Sequence, residues 1–127
     1  MIFNVVRQPV RAKYADDFPS LIADYIAASR AEPGNLFFDW CRSADDPNLW
    51  FLIEGFRDAE AGEAHVASEH FKAAMAEMPR LLAAAPEIIH VETPGAGWGS
   101  VSAALATFSR RCATEEVPGI SRMLGER

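Results

Sequence analysis

Two histidines five residues apart, in Ala64-His65-Val66-Ala67-Ser68-Glu69-His70-Phe71, are the side chains of this sequence best suited to moving protons. The unperturbed pKa of imidazole lies near neutrality, so such a ring can take and release a proton at ordinary pH. His90 is the third and last histidine. Residues at i, i+5 project about 140° apart on a regular helix, whereas two helical metal ligands are usually four apart. No shared metal ion is therefore expected. Ser68 also interrupts the run, because as an N-cap it closes one helix and opens the next. His65 then stands one turn before a helix break, from where it can reach into a cleft as a general base. A surface or capping histidine is the alternative. His70 falls in the first turn after Ser68, where the positive helix end favours a neutral, hydrogen-bonding ring; a plain surface position is the alternative there. His90, on an apolar strand, reads as structural.

Asn4 is a polar residue inside the apolar run Ile2-Phe3-Asn4-Val5-Val6. If buried it needs a partner, which a substrate oxygen or a neighbouring backbone group would supply. Phe38, Trp40, Trp50 and Phe71 are candidate walls of an apolar binding pocket, with core or interface packing as the alternative. Arg30 falls near the end of the first helix, where it complements the negative terminus.

The 127 residues make one domain by size, and half of them are hydrophobic with 24% charged. A net charge of −6 argues against a nucleic-acid or anionic-membrane partner. No apolar run approaches the ~18 residues of a membrane span, and no basic stretch followed by a long apolar one marks a signal peptide. A cytoplasmic location is expected. Cys41 and Cys112 are too few for a disulfide framework or a zinc site; they are expected to be reduced thiols, with Cys41 buried.

The elements that must position these groups follow from periodicity. Ile2 to about Val10 reads as a strand ending near Pro9. A helix is expected from about Asp16 to Ala31, capped by Asp16, with Pro19 in its first turn and Phe18, Leu21, Ile22, Tyr25, Ile26 and Ser29 on one buried face. Pro33-Gly34 stops it. Leu36–Cys41 and Leu49–Phe56 read as strands joined by the turn-rich Ser43–Asn48. Asp58 caps a short helix to about Ala67, and Ser68 caps another with Phe71, Ala74, Met75, Met78 and Leu82 buried, kinked or ended at Pro79. Glu87–Glu92 is the last strand. The order β-α-β-β-α-β predicts an α+β, ferredoxin-like fold with an antiparallel sheet over residues 1–94. Residues 95–127 form an extension. In it Val101, Ala104, Leu105 and Phe108 share a helical face, and the polar remainder is expected to be disordered.

Both faces of the second and of the third strand carry large apolar side chains: Leu36, Phe38 and Trp40 against Phe37, Asp39 and Cys41 in the second, and Trp50, Leu52 and Phe56 against Leu49, Phe51 and Ile53 in the third. A single copy would expose one face. Sheet-on-sheet packing of a second copy predicts a homodimer; covering by the C-terminal segment is the alternative.

The runs Ala27-Ala28-Ser29-Arg30-Ala31-Glu32-Pro33-Gly34-Asn35-Leu36, Asp45-Asp46-Pro47-Asn48 and Glu63–Lys72 resemble the antibiotic biosynthesis monooxygenase domain family, and within it the small quinol monooxygenases. The similarity spans about Met1 to Thr93. It implies a dimeric α+β barrel with a pocket between sheet and helices in each subunit. It also implies oxidation of quinols or polycyclic phenols by O2, without flavin, haem or metal. Anthraquinone-forming relatives are associated with an asparagine, a tryptophan and an arginine; Asn4 and one of Trp40 or Trp50 match two of these. Haem-degrading relatives use a tryptophan where His65 stands and a haem-ligating histidine where Met75 stands, so haem degradation is not implied. Under this resemblance His65, His70 and Asn4 are the candidate catalytic groups, and Phe38, Trp40, Trp50 and Phe71 the candidate substrate contacts. The partners would be a small aromatic molecule and O2, with no cofactor. A non-oxidative isomerase or cyclase on the same fold, or a ligand-binding dimerisation module, remains the alternative.

Overall fold

The computed structural model describes residues 1–111, so Cys112 and the polar end of the tail lie outside the described residues. The chain forms two compact units, the first spanning Met1–Gly97. Its strands are β1 (Ile2–Pro9), β2 (Asn35–Arg42), β3 (Leu49–Phe56) and β4 (Glu87–Glu92). They form one antiparallel sheet in the order β2-β3-β1-β4, the ferredoxin-like arrangement. β3 and β4 match the sequence-based bounds, and Pro9 sits at the end of a central strand.

The helix expected from about Asp16 to Ala31 is two short pieces, α2 (Phe18–Leu21) and α3 (Ala23–Arg30), and an unexpected turn of helix, α1 (Ala12–Ala15), precedes it. Pro19 has no N–H to offer the carbonyl of Ala15 four residues back. That carbonyl instead accepts from the Trp50 indole N–H at 3.0 Å. Ile22, at φ −115° and ψ 19°, separates α2 from α3. Asp16 therefore caps no continuous helix. Phe18, Ile22, Tyr25 and Ser29 are buried as expected, while Leu21 is exposed.

Local chemistry sets α4 (Ala59–Ala67) and α5 (Glu69–Leu81). The Asp58 carboxylate accepts from the N–H of Ala61 at 2.8 Å, and the Ser68 hydroxyl accepts from that of Phe71 at 3.2 Å. Pro79 lies inside the last turn of α5, which ends two residues later. Ala74, Met78, Leu81 and Leu82 are buried, whereas Met75 is exposed.

The helices cover one face of the sheet. Phe18, Tyr25, Phe38, Trp50, Leu52, Met78 and Leu81 form the main core there. The opposite face presents Phe3, Val5, Phe37, Leu49, Phe51 and Ile53 half-buried, and Ile89 is 66% exposed. Cys41 is exposed, not buried, because β2 is an edge strand and Cys41 points to the uncovered face. The second unit contains α6 (Val101–Arg111), the helix expected from Val101, Ala104, Leu105 and Phe108. Among the described residues no helix is long and apolar enough to cross a membrane.

Candidate active site

Strand register places four side chains in one row across the covered face. Phe38 stands opposite Glu54, Glu54 opposite Asn4, and Asn4 opposite His90. Asn4 is buried, but neither a substrate nor the backbone is its partner here. Its amide donates to Glu54 Oε1 at 2.9 Å, and its Oδ1 accepts from His90 Nδ1 at 2.6 Å. His90 thus belongs to the polar network rather than to the core.

A cavity of about 1180 Å³ lies over this row, between the β1–β4 side of the sheet and the helices α4 and α5. Asn4, Gln8, Glu54, His65, Tyr25 and His90 lie on its polar side, with Glu63, Glu87 and Glu92 also on the lining, and Val66, Phe71, Met75, Met78, Leu82 and Ile88 form its apolar wall. Two buried acceptors on this lining receive no hydrogen bond: Gln8 Oε1 and Glu54 Oε2. Desolvating such oxygens is costly unless a ligand donates to them.

His65 projects from α4 into the same place and is 3% exposed. Its Nδ1 lies 2.8 Å from Glu32 Oε2 and its Nε2 3.2 Å from the Tyr25 hydroxyl. A carboxylate only accepts, so Nδ1 carries the proton, and the bare Nε2 accepts from Tyr25. Glu54 Oε2 stands 4.0 Å from that same Nε2. Glu32 arrives by close packing: a Cβ on Gly34 would sit 2.3 Å from the Cβ of Ala61, and only a glycine lets the turn after α3 meet α4 there.

Burial, then the charges of Glu54 and Glu32, raise the Tyr25 pKa, so its hydroxyl keeps its proton. Burial also raises that of Glu54, against the Asn4 hydrogen bond. A carboxyl whose folded pKa is raised binds more protons folded than unfolded. Stability from this group is therefore complete at acid pH and falls as pH rises through the ordinary glutamate range toward the raised value. Glu54→Gln is accordingly expected to be the more stable protein at about pH 8, by on the order of 1 kcal/mol. The difference should vanish near pH 4. Urea melts of both proteins at the two pH values check this.

His70 lies outside the cavity lining and hydrogen-bonds through Nε2 to Glu32 Oε2. Of the candidate substrate contacts only Phe71 lines the cavity. Phe38 and Trp50 are core residues and Trp40 packs against them, because their ends of β2 and β3 lie under α2 and α3 rather than beside the opening. The sequence-based reading missed Glu54, Glu32 and Tyr25. Glu54 carried the same signal as Asn4, a charged residue in the apolar run Phe51–Phe56, and so did His90. Glu32 and Tyr25 carried none.

Among the described residues, Glu32, His65 and His70 could hold a metal ion, with donor atoms all within 4.8 Å of one another. Ligand atoms around a tetrahedral zinc stand about 3.3 Å apart. Here Glu32 lies closer than that to each imidazole, at hydrogen-bond range.

A family model described as antibiotic biosynthesis monooxygenase matches residues 1–77. The protein named "Putative monooxygenase YcnE" of Bacillus subtilis (strain 168) is 26% identical over 83 residues, 65% of this chain and 87% of that one. Two solved structures are similar in fold. One is PA3566 from Pseudomonas aeruginosa, 26% identical, TM-score 0.65, covering 74% of this chain and 94% of that one. The other, from Caulobacter crescentus CB15 and described as a putative antibiotic biosynthesis monooxygenase, is 27% identical, TM-score 0.69, covering 74% and 90%.

Proposed function

Because the chain belongs to the antibiotic biosynthesis monooxygenase family, we propose that it oxidises a quinol or related phenol with O2, unaided by a cofactor, in the cavity above the Glu54–Asn4–His90 row. The observation that carries this reading is the pair of acceptors at the cavity floor. Glu54 Oε2 and His65 Nε2 are 4.0 Å apart, and a hydroxyl oxygen about 2.8 Å from each fits between them.

The phenol O–H takes the place of the Tyr25 hydroxyl on His65 Nε2, which takes the proton, as its Nδ1–H is held by Glu32. Tyr25, still protonated, then turns its hydroxyl toward the phenolate oxygen and stabilises it. The phenolate gives electrons to O2 far more readily than the phenol does. Met75, Met78 and Phe71 on the apolar wall keep water from the intermediates. The overall change is quinol plus O2 to hydroxyquinone plus water. One oxygen atom enters the ring, the other leaves as water, and the quinol supplies every electron that O2 takes up. We further propose that two copies pair through the uncovered sheet face.

The test is O2 uptake by purified, metal-stripped protein with a panel of benzo-, naphtho- and anthraquinols. Uptake above the spontaneous rate is expected for at least one of them, and none above it sinks the oxygenase reading. A second reading draws on the same Tyr25–His65–Glu32 contacts, which would also serve a proton shift between carbons. Product formed under nitrogen would identify that chemistry.

A further inference from the structure

Behind His65 the hydrogen bonds continue away from the cavity. His65 Nδ1 lies 2.8 Å from Glu32 Oε2, and the same oxygen bonds His70 Nε2. Neither Glu32 nor His70 borders the cavity. The side chain of His65 is 3% exposed and that of His70 is 25% exposed, so the line runs from a buried ring at the cavity floor to a ring in reach of solvent. The geometry points to a proton conduit, His65–Glu32–His70, through which the site exchanges protons with solvent by a route other than the mouth of the cavity. It rests on the reading of His65 as the group that takes the substrate's proton.

The physical need is plain. A flat aromatic molecule lying against the apolar wall displaces the water that would otherwise carry protons to and from His65. Of the groups facing His65 on the cavity side, Tyr25 keeps its proton because of burial and Glu54 Oε2 is taken up by the substrate hydroxyl, so neither serves as a ready onward acceptor. Glu32 is the acceptor left, on the other edge of the ring.

Each hop breaks one bond to hydrogen as it makes the next. His65 becomes a cation when Nε2 takes a proton, and gives up its Nδ1 proton to Glu32. His70 first changes tautomer through water, which gives a proton to Nδ1 and takes the one on Nε2; the carboxylic acid then passes its proton to the bare Nε2, and Nδ1 releases its own to solvent. The reverse sequence reloads His65. The oxidation of a quinol to a hydroxyquinone and water releases no net proton, so a line that runs in both directions suits it: the proton taken from the hydroxyl is needed again when the second oxygen leaves as water.

The experiment needs no turnover. In the full chain labelled with 15N-histidine, the imidazole proton between His65 and Glu32 is followed by NMR, and its exchange with water is measured by saturation transfer. His70→Ala is expected to slow this exchange roughly tenfold or more, and free imidazole, filling the space left by the ring, is expected to restore it. His70→Gln, closer in size to histidine, must slow it likewise if the alanine variant folds poorly. Exchange unchanged in the folded variants, or slowing that imidazole does not reverse in His70→Ala, overturns the conduit. Because no substrate is present, this outcome is separate from whether any quinol is oxidised.

Discussion

Replacing His65 with glutamine is expected to lower quinol-dependent O2 uptake by about 10²–10⁴-fold, the usual contribution of a positioned general base. Glutamine can keep a hydrogen bond to Glu32 or to Tyr25, but it cannot take a proton. The loss should fall on kcat, because the phenol O–H still has Glu54 Oε2 as an acceptor and binding is largely retained. His65→Ala should be worse in a second way. It leaves the buried Tyr25 hydroxyl without its partner and Glu32 with one histidine instead of two. That adds a stability loss of about 1–3 kcal/mol, visible in urea melts. Glutamine and alanine variants together separate chemistry from folding. If His65→Gln keeps the wild-type kcat on the quinol that the wild type oxidises, His65 is not the base.

A charge at the centre of the uncovered sheet face is expected to split the dimer. Val5 lies on β1 opposite Ile53 on one side and Ile89 on the other, and all three point away from the helices. In a sheet-on-sheet pair this row would be enclosed. Val5→Asp would bury a carboxylate with no partner, which costs about 3–5 kcal/mol and raises the dissociation constant by roughly 10²–10³-fold or more. The wild type should scatter light as a dimer at micromolar concentration and Val5→Asp as a monomer with unchanged helix and strand content. A wild type of monomer mass rejects the dimer.

The helix break at Ser68 was legible because it is a local event. The Ser68 hydroxyl bonds a backbone N–H three residues on, and Asp58 does the same. The strands were legible for a similar reason: the turn formers between Ser43 and Asn48, and the apolar runs on both sides, bound β2 and β3 without reference to the rest of the chain. The start of the first helix was misread because the chain there leans on a distant group. Trp50, 35 residues away, supplies the hydrogen bond that Pro19 cannot make to Ala15. Periodicity along α3 marked Tyr25 as a buried residue but could not show that its hydroxyl meets His65.

The candidate site divides along the same line. From its order of residues alone this chain determines an α+β fold of ferredoxin-like order, a sheet apolar on both faces, two caps and a histidine on each side of a helix break. Each of these is set by side-chain alternation or by bonds a few residues long. Only the tertiary structure decided what those histidines face. Strand register aligned Glu54, Asn4 and His90 in one row. The close approach of Gly34 to Ala61 brought Glu32 between His65 and His70. Covering of β2 and β3 by the early helices left the cavity over β1 and β4, lined by Phe71 and Met75 instead of Phe38 and the tryptophans. Pairing between residues 27 to 86 positions apart depends on how whole elements pack, and no spacing within a single helix or strand records it.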